Sequence, residues 1–347
     1  MANIKDVAEK AGVSITSVSH VINETRYVSD DLKTRVLSAM EALNYRPNTL
    51  ARSLRSGRSR TIGLVIPDIS NLFFAEISRK IEDKGFEYGY SVILCNTDDD
   101  LEKEKRYIDV LLEKQVDGII FISAGEAKEN ILKQMEMDIP IVVADRDIPN
   151  LTSDVVLIDN HEGGYEATNY LIALNHKRIA CITGPSLVTP SALRVEGYKH
   201  ALKDAGIPIN ESLICQGDFR YESGENCMRN LLKNPEPPTA VFVCNDMMAL
   251  GAFRAIHECG MKIPDNISVV GFDNIPLSQT AYPALTTMAQ PIVEMANISV
   301  DLLVERIQYK QKLKRNHEVE LDFKRLVLKA YLVERESCSV LSSNSAQ

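Results

Sequence analysis

Short apolar runs of strand length alternate with amphipathic stretches of helical length from Thr61 onwards. The apolar runs are IGLVIP (62–67), SVILC (91–95), GIIFI (118–122), IPIVVA (139–144), RIACI (178–182), AVFVC (240–244) and SVVGF (268–272). Continuous apolarity is typical of parallel strands that are buried on both faces by helices. The alternation that begins at Thr61 has more residues than a single doubly wound sheet usually contains. The sequence therefore predicts an α/β fold with two doubly wound subdomains.

A different pattern occupies the N-terminus, where residues 4–23 (IKDVAEKAGVSITSVSHVIN) predict two short helices around a tight turn. Asn3 is a good N-cap for the first helix, Gly12 gives the turn a permissive backbone, and Ser14 caps the second helix. A third helical pattern, capped by Ser29, follows. The stretch indicates a three-helix head of the helix-turn-helix type, and an ordinary three-helix bundle is the alternative.

The second helix of this head leaves small and polar side chains on its outer face, namely Ile15, Thr16, Ser17 and His20. Such a set at the start of a helix suits the major groove of DNA. Residues 1–60 carry ten Lys or Arg against six Asp or Glu, a net charge of +4, whereas the whole chain carries −9. A basic head on an acidic body predicts phosphate contacts confined to one end of the chain.

A short basic segment, residues 47–60, joins the head to the rest. Thr49 to Leu54 has the composition of one short helix, and Arg52 and Arg55 crowd a segment with little means of burying itself. One interpretation is a flexible basic linker. The other is a hinge helix that folds on DNA and inserts Leu54 between base pairs in the minor groove.

Polar residues follow the predicted strands where ligands bind in open α/β sheets, outside the carboxyl ends. These ends read Asp68 to Asn71, Asn96 to Asp100, Asp145-Arg146-Asp147, Asn245-Asp246 and Asp273-Asn274, with Phe73, Phe74, Phe219 and Phe272 nearby. Carboxylates, amides and arginines that pair with vicinal hydroxyls, beside aromatic faces, describe a sugar pocket. The alternative is that Asp and Asn merely begin loops and cap helices.

Other function classes lack their motifs. The chain has no GxGxxG after the first strand, no GxxxxGK[ST], no GxSxG and no HExxH, so we expect no enzyme, no cofactor and no metal. Its cysteines show no metal spacing, and Cys95, Cys181 and Cys244 are expected to be buried, reduced thiols. The absence of a long apolar run and of a signal-peptide core predicts a cytoplasmic protein that is not associated with a membrane. A sugar-binding transport protein would share the two subdomains but would not need a basic head.

The motifs together resemble the lactose/galactose repressor family of bacterial transcription regulators over essentially the whole chain. The resemblance rests on residues 4–23, then VS, YRPN, ARSL and TIGLVIPDISNLFFAEI, and the SVSHVINETRYVS stretch is particularly similar to the purine and ribose repressors. It implies a homodimer on a palindromic, double-stranded operator, base contacts from the helix after Ser14, and insertion of Leu54. It also implies that ligand-driven closure of two periplasmic-binding-protein-type subdomains controls the hinge.

The same resemblance implies a set of ligand-binding residues. The matching motifs are NLFF, ADRD, SALRVEGY, GDF, VCND, GFDN and MAQP, and they give Asn71, Phe73, Phe74, Asp145, Arg146, Arg194, Phe219, Asn245, Asp273 and Gln290. The polar loop Asn96 to Asp100 differs in length from its counterpart, so Asp98 is not carried over.

Ribose or a related pentose is the favoured effector, with a hexose second and a purine third. A tryptophan stands at the position of Arg146 in the purine repressor, and Thr189 stands where that repressor has an arginine. A guanidinium in place of a stacking ring favours hydroxyls over a flat base. A fourth possibility is a catabolite-control regulator that reads a phosphoprotein, because IPDISN and KQVDGIIF resemble that branch.

The expected domain organisation follows these patterns. The head covers residues 1–46, the hinge helix and linker 47–60, the effector-binding and dimerisation core 61–336, and a serine-rich disordered tail 337–347. Within the core, the N-subdomain is expected at about 61–160 and 291–322, and the C-subdomain at about 161–290 and 323–336. The tail lacks a leucine repeat, so a dimer is expected rather than a tetramer.

Overall fold

The computed structural model describes residues 2–23, 26–46, 58–122, 139–146, 152–313 and 322–341. The chain divides into two compact units, residues 1–60 and residues 61–347. We refer to the first unit as the head and to the second as the body.

The described residues of the head form three helices, which are α1 (Ile4–Ala11), α2 (Ile15–Asn23) and α3 (Asp30–Ala42). Their ends follow from local chemistry. The Asn3 side chain accepts hydrogen bonds from the backbone of Lys5 and Asp6, and the Asp6 carboxylate accepts one from the Asn3 backbone. Gly12 ends α1 with a φ of 64°, and the Ser14 hydroxyl accepts a hydrogen bond from the backbone of Ser17 at 3.1 Å.

A small apolar core holds these helices together. Each helix contributes one fully buried valine to it: Val7, Val18 and Val36. Arg35 ties α3 to the turn, because its guanidinium donates to the carbonyl of Ala11 at 2.6 Å and of Gly12 at 3.1 Å. The predicted helix-turn-helix head is therefore confirmed. The expected hinge helix and its residues Arg52, Leu54 and Arg55 lie outside the described residues.

The part of the body that the structure describes contains two six-stranded sheets. The strands of the first are β1 (Thr61–Ile66), β2 (Ser91–Asn96), β3 (Gly118–Phe121), β4 (Ile141–Ala144), β5 (Asp154–Ile158) and β11 (Arg325–Leu328). Those of the second are β6 (Ile179–Thr183), β7 (Ile214–Gln216), β8 (Ala240–Val243), β9 (Ser268–Asp273), β10 (Thr286–Ala289) and β12 (Tyr331–Val333). The strand orders are β11-β5-β4-β3-β1-β2 and β12-β10-β9-β8-β6-β7. The described pairs are parallel, apart from the antiparallel pair of β12 with β10.

Helices cover both sheets. They are α4 (Leu72–Glu87), α5 (Leu101–Glu113), α6 (Asn160–Ala173), α7 (Thr189–Asp204), α8 (Tyr221–Leu231), α9 (Asp246–Glu258), α10 (Pro276–Thr280) and α11 (Ile292–Leu313), with a short 3-10 helix at Glu211–Leu213. Helices α4, α5 and α11 pack on the first sheet and form the first lobe, and the remaining helices form the second lobe. Strands β3, β4, β6 and β8 are buried along their whole length, as their unbroken apolar runs predict.

Within the described residues the chain passes between the lobes three times: at Asp159, at Gln290-Pro291 and at Lys329-Ala330. The first and third passages lie side by side, since the backbone N–H of Asp159 donates to the carbonyl of Leu328 at 2.8 Å. The expected α/β fold with two doubly wound, periplasmic-binding-protein-type lobes is confirmed.

The structure differs from the sequence-based expectation at the C-terminal end. Strand β11 pairs with β5 of the first lobe, so the passage into the second lobe lies at Lys329-Ala330 and not at the expected boundary after residue 322. Residues 337–341 were expected to be disordered, yet they lie along the second lobe. The carbonyl of Ser337 accepts from Val269 and the backbone of Leu341 donates to Leu174, each at 2.9 Å. Serine hydroxyls that hydrogen-bond to the edge of the sheet explain why residues 337–341 are held in place, and composition alone does not reveal these bonds.

No helix among the described residues is both long and apolar enough to span a membrane.

Candidate functional site

A cleft of about 310 Å³ lies at the carboxyl ends of the strands in the body. The ten residues that sequence reasoning proposed for ligand binding all line it, and two apolar residues join them. The lining is Asn71, Phe73, Phe74, Asp145, Arg146, Val188, Pro190, Arg194, Phe219, Asn245, Asp273 and Gln290.

Both lobes contribute to this lining. The first lobe supplies the start of α4 and the two residues after β4, whereas the second supplies the start of α7, the loop before α8, and the ends of β8 and β9. Gln290 lies in the middle passage between the lobes. A ligand in the cleft would therefore touch both lobes at once and favour their closed arrangement.

The aromatic wall of the cleft comes from the first turn of α4. Asn71 caps this helix, because its side-chain oxygen accepts a hydrogen bond from the backbone of Phe73 at 3.1 Å. The rings of Phe73 and Phe74 meet edge to face, with centroids 5.1 Å apart. The guanidinium carbon of Arg146 lies 5.7 Å from the Phe74 ring centroid. An apolar ring face beside a guanidinium suits a ligand with both C–H and hydroxyl surfaces.

Asp145 and Arg146 form a buried pair after β4. Asp145 has a φ of 65°, and both side chains are 5% exposed. The Arg146 Nη1 atom lies 3.4 Å from Asp99 Oδ1, and its Nε atom lies 3.9 Å from Asp145 Oδ2. Burial raises the pKa of Asp145, although the nearby Arg146 and Arg194 oppose this shift.

The polar loop after β2 contacts the cleft residue Arg146 through one carboxylate. Asp99 is the residue that faces Arg146, whereas Asp98 accepts a hydrogen bond from Asn96 at 2.6 Å and pairs with Lys103. The omission of Asp98 from the ligand set is consistent with this arrangement. Asp99 was missed, because the altered loop length hides its register.

Arg194 is held rigidly on the second lobe. Its Nε donates to Asn160 Oδ1 at 2.8 Å and its Nη1 donates to the Cys244 carbonyl at 2.6 Å. The guanidinium carbon stacks 3.6 Å from the centre of the Phe272 ring, and Nη1 lies 3.7 Å from Asp273 Oδ1. These contacts fix a flat, charged donor group at the cleft before any ligand arrives.

Asp273 and Gln290 form the floor of the cleft. Asp273 has a φ of 113°, a conformation that side chains rarely adopt. Its Oδ1 accepts from Gln290 Nε2 at 2.7 Å. Burial raises the pKa of Asp273 to about 7, against the opposing effects of Arg194 and the Gln290 hydrogen bond. Gln290 Oε1 is buried and has no hydrogen-bond partner among the described residues, so it offers a ligand an acceptor that is costly to leave unpaired.

Phe219 and Asn245 belong to the same local structure. Phe219 has a φ of 69°, and its carbonyl accepts a hydrogen bond from Asn245 Nδ2 at 2.9 Å. Asn245 also caps α9, since its Oδ1 accepts from the backbone of Met248 at 3.0 Å. Asn245 thus lines the cleft while its amide is engaged with the protein, and its structural part is to hold Phe219 in place.

Val188 and Pro190, at the start of α7, were missed as lining residues because they carry no polar chemistry. Among the described residues, no group of three or more His, Cys, Asp or Glu side chains is placed to hold a metal ion. Cys95, Cys181 and Cys244 are buried and unpaired, as expected.

The outer face of α2 is the second candidate site, and it lies in the head. Ile15 is 43% exposed and Thr16 is also exposed, whereas Ser17 and His20 are half-buried. The Ser17 hydroxyl lies 2.9 Å from that of Ser14 at the start of the helix. This face presents methyl groups and hydroxyls at the start of the helix and an imidazole in its last turn, which is the chemistry that reads base edges.

Sequence patterns of known families match both units of the chain. The pattern described as "Periplasmic binding proteins and sugar binding domain of LacI family" covers residues 59–325, and that described as "Bacterial regulatory proteins, lacI family" covers residues 3–48. The chain belongs to the LacI family. This confirms the family expected from the sequence, and the family is one of DNA-binding transcriptional regulators.

Individual relatives agree with this assignment. HTH-type transcriptional repressor PurR from Histophilus somni is 42% identical over 331 residues, which are 95% of this chain and 98% of that protein. The lac repressor dimer bound to operator and the anti-inducer ONPF matches with a TM-score of 0.85 at 29% identity, over 97% of this chain and 99% of that one. A LacI family regulator from Enterococcus faecium with bound ribose matches with a TM-score of 0.71 at 32% identity, over 81% of this chain and 100% of that one.

Proposed function

We propose that this LacI-family protein is a transcriptional repressor whose affinity for an operator is controlled by ribose or a related pentose bound in the cleft. The observation that carries the proposal is the buried cluster of Asp145, Arg146, Arg194, Asp273 and Gln290 at one cleft. In this proposal the protein acts in the cytoplasm, as a homodimer on a palindromic site and not as an enzyme.

The polar groups of the cleft favour a small ligand with several hydroxyls. Arg146 and Arg194 supply donors from opposite lobes, and Asp145 and Asp273 supply acceptors. Adjacent hydroxyls, each of which donates and accepts, satisfy such a set, and the rings of Phe73, Phe74 and Phe219 cover the C–H faces of a sugar.

DNA binding is supported by the head. Its charge of +4 contrasts with the acidic body, and the exposed start of α2 carries Ile15, Thr16 and Ser17. With a handful of phosphate contacts, operator affinity should fall by orders of magnitude between about 50 and 200 mM salt. Operator binding that hardly changes with salt would contradict this part of the proposal.

A purine is the alternative effector that the comparisons favour, because the chain is 42% identical to a PurR repressor over nearly its full length. The guanidinium of Arg146, only 4% exposed, argues against it, since it occupies the position where the purine repressor has an aromatic ring. A flat base would meet this cation and the carboxylate of Asp145 at a place that needs an apolar face.

Isothermal titration calorimetry on the full chain tests the effector. D-ribose is the probe, and D-arabinose, which differs in the orientation of one hydroxyl, is the matched control. We expect saturable heat with ribose and weaker binding of arabinose, because a site built to pair each hydroxyl rejects an analogue that leaves its own polar groups unpaired. No heat with ribose, together with saturable binding of hypoxanthine, a hexose or a phosphorylated carrier protein, would overturn the pentose assignment.

A further inference from the structure

Two cysteines bracket the loop that carries Phe219 into the cleft. Cys215 lies in β7 and Cys227 lies in α8, and their sulfur atoms are joined in a disulfide with a Cα–Cα distance of 5.6 Å, within the usual range for such bonds. We infer that Cys215 and Cys227 are a redox modification site whose oxidation fixes the Phe219 loop and strengthens effector binding. The effect on the effector rests on the function proposed above, whereas the site itself does not.

The surroundings of the cysteines single out this pair. All seven cysteines of the chain are described, and the other five are unpaired. Cys181 and Cys244 are close neighbours but fully buried, so an aqueous oxidant does not reach them. Cys259 is exposed but has no second thiol bonded to it.

Two further thiols are chemically slow. Burial raises the pKa of Cys95 to about 11 and that of Cys338 to about 12, which leaves little thiolate to react at neutral pH. Cys215, in contrast, is half-buried at the edge strand of its sheet and accessible to a small oxidant. Cys227 is 4% exposed and lies behind it.

The segment between the cysteines is tied to the rest of the second lobe at two points. The backbone of Gly217 donates to Thr183 at 2.7 Å, and Asn245 donates to the Phe219 carbonyl at 2.9 Å. Within the segment, the backbone of Asp218 donates to Ser223 at 3.0 Å. The disulfide closes this loop covalently, with a separation of 12 residues. When the disulfide is broken, these hydrogen bonds alone maintain the left-handed conformation of Phe219, whose φ is 69°.

The chemistry balances with hydrogen peroxide as the oxidant. The Cys215 thiolate attacks one peroxide oxygen, the O–O bond breaks, and the sulfenic acid of Cys215 forms with loss of hydroxide, which takes up a proton to become water. The Cys227 thiolate then attacks the sulfenic sulfur, the S–O bond breaks, and the hydroxide released takes up a proton to give a second water. Two thiols and one peroxide therefore give one disulfide and two waters, and a dithiol such as dithiothreitol reverses the change.

Fixing the loop should improve ligand binding because Phe219 is then held in its bound position beforehand. Ordering one large side chain and its loop costs an amount equivalent to a few-fold in affinity, so we expect the oxidised protein to bind ribose about 3- to 10-fold more tightly than the reduced protein. We also expect a melting temperature higher by roughly 5 °C, as a crosslink of this loop length restricts the unfolded chain.

The test uses full-length protein carrying Cys259→Ser, which removes the exposed thiol and prevents crosslinking between molecules. The protein is treated with hydrogen peroxide or dithiothreitol, and its thiols are titrated after denaturation. We expect the oxidised form to lose two thiols and about 2 Da in mass relative to the reduced form. Hydrogen–deuterium exchange of residues 217–220 should be slower in the oxidised form, while exchange at the Gly260 turn stays unchanged, and ribose affinity is measured by calorimetry.

Matched variants identify the thiols. Cys215→Ser and Cys227→Ser should each abolish the response to peroxide, whereas Cys338→Ala should retain it. A protein that keeps all its thiols in peroxide, or forms the disulfide without slower exchange in the loop, would overturn the inference. Equal ribose affinity of the two forms would overturn the regulatory role. If ribose binds neither form while the thiol count and the exchange differ as expected, the redox site stands and the pentose assignment fails.

Discussion

Arg146 gives the sharpest test of how the cleft recognises its ligand. The replacement Arg146→Ala removes a guanidinium that is 4% exposed and lies between Asp99 and Asp145. Because this group lines the cleft of the body, the variant should lose its response to ribose while its operator affinity without ligand stays nearly unchanged.

The expected magnitude follows from the bonds that are lost. Each hydrogen bond to a charged group contributes about 1.5–3 kcal/mol, and a planar guanidinium makes two of them to adjacent hydroxyls. Losing both weakens ribose binding by about 3–6 kcal/mol, which is roughly 10²- to 10⁴-fold. Asp145 also loses its nearest cation, so its pKa, already raised by burial, rises further. The carboxyl can then take up a proton, which limits the cost to folding.

Calorimetry with ribose and a fluorescence-anisotropy titration of operator DNA measure the two affinities. Arg178→Ala is the matched control, because Arg178 precedes β6 at the opposite end of the strands and its guanidinium pairs with Glu236. Arg146→Lys should fall between the wild type and the alanine variant, since it keeps the charge without the planar fork. Wild-type ribose affinity in Arg146→Ala would refute the assignment of this residue to the ligand.

Three further predictions concern the floor of the cleft and the contact with DNA. Asp273, whose pKa burial raises to about 7, accepts more strongly from a hydroxyl, and through both oxygens, once it is ionised. Ribose affinity should therefore rise about tenfold between pH 6 and pH 8, and calorimetry should show this rise in the wild type but not in Asp273→Asn. Thr16→Ala or His20→Ala should relax base preference at one position per half-site, costing roughly 1–3 kcal/mol, whereas an equal loss on every operator variant would make these residues phosphate contacts. Leu54→Ala should weaken operator binding but leave ribose affinity and the melting temperature unchanged, because only a large apolar side chain offsets the unstacking of a base step. If this variant binds and bends the operator like the wild type, the segment serves only as a linker.

The raised pKa of Asp273 also sets the sign of a stability effect. The folded protein binds this proton more tightly than the unfolded chain does. Protonation of Asp273 therefore stabilises the fold fully below the ordinary carboxyl pKa, and this stabilisation is lost as the pH rises towards 7. Ligand affinity and stability should therefore change in opposite directions with pH, and Asp273→Asn should flatten both.

The sequence predicted the parts of the fold that depend on local patterns. Caps at Asn3, Ser14 and Ser29 and the turn at Gly12 follow from side-chain chemistry within a few residues. Most strands with unbroken apolar runs were also recognisable, although β5, which reads DVVLI, was missed. Strand β10 was not recognisable, because it reads TTMA, and its threonines are buried by the lobe and not by their own hydrophobicity. The position of β11 in the first lobe depends on pairing with β5, more than 150 residues earlier, which no local pattern records.

The cleft shows the same division between local and distant information. All ten proposed residues line it, because strand ends in a parallel sheet meet at one edge and the family resemblance marks which side chains lie there. Their individual partners depend on three-dimensional packing. Whether Asp98 or Asp99 faces Arg146, and whether the amide of Asn245 holds Phe219, could not be read from the order of residues.

The three passages of chain between the lobes have a mechanical consequence. Two bodies joined by a single strand can twist and tilt in every direction, whereas three connections, two of them hydrogen-bonded side by side at Asp159 and Leu328, leave bending as the softest motion. Any compound that bridges the cleft then drives the same one-dimensional displacement, whatever its chemistry. In the proposed function, the lining can therefore differ at positions such as Arg146 without a change in the motion by which the lobes close.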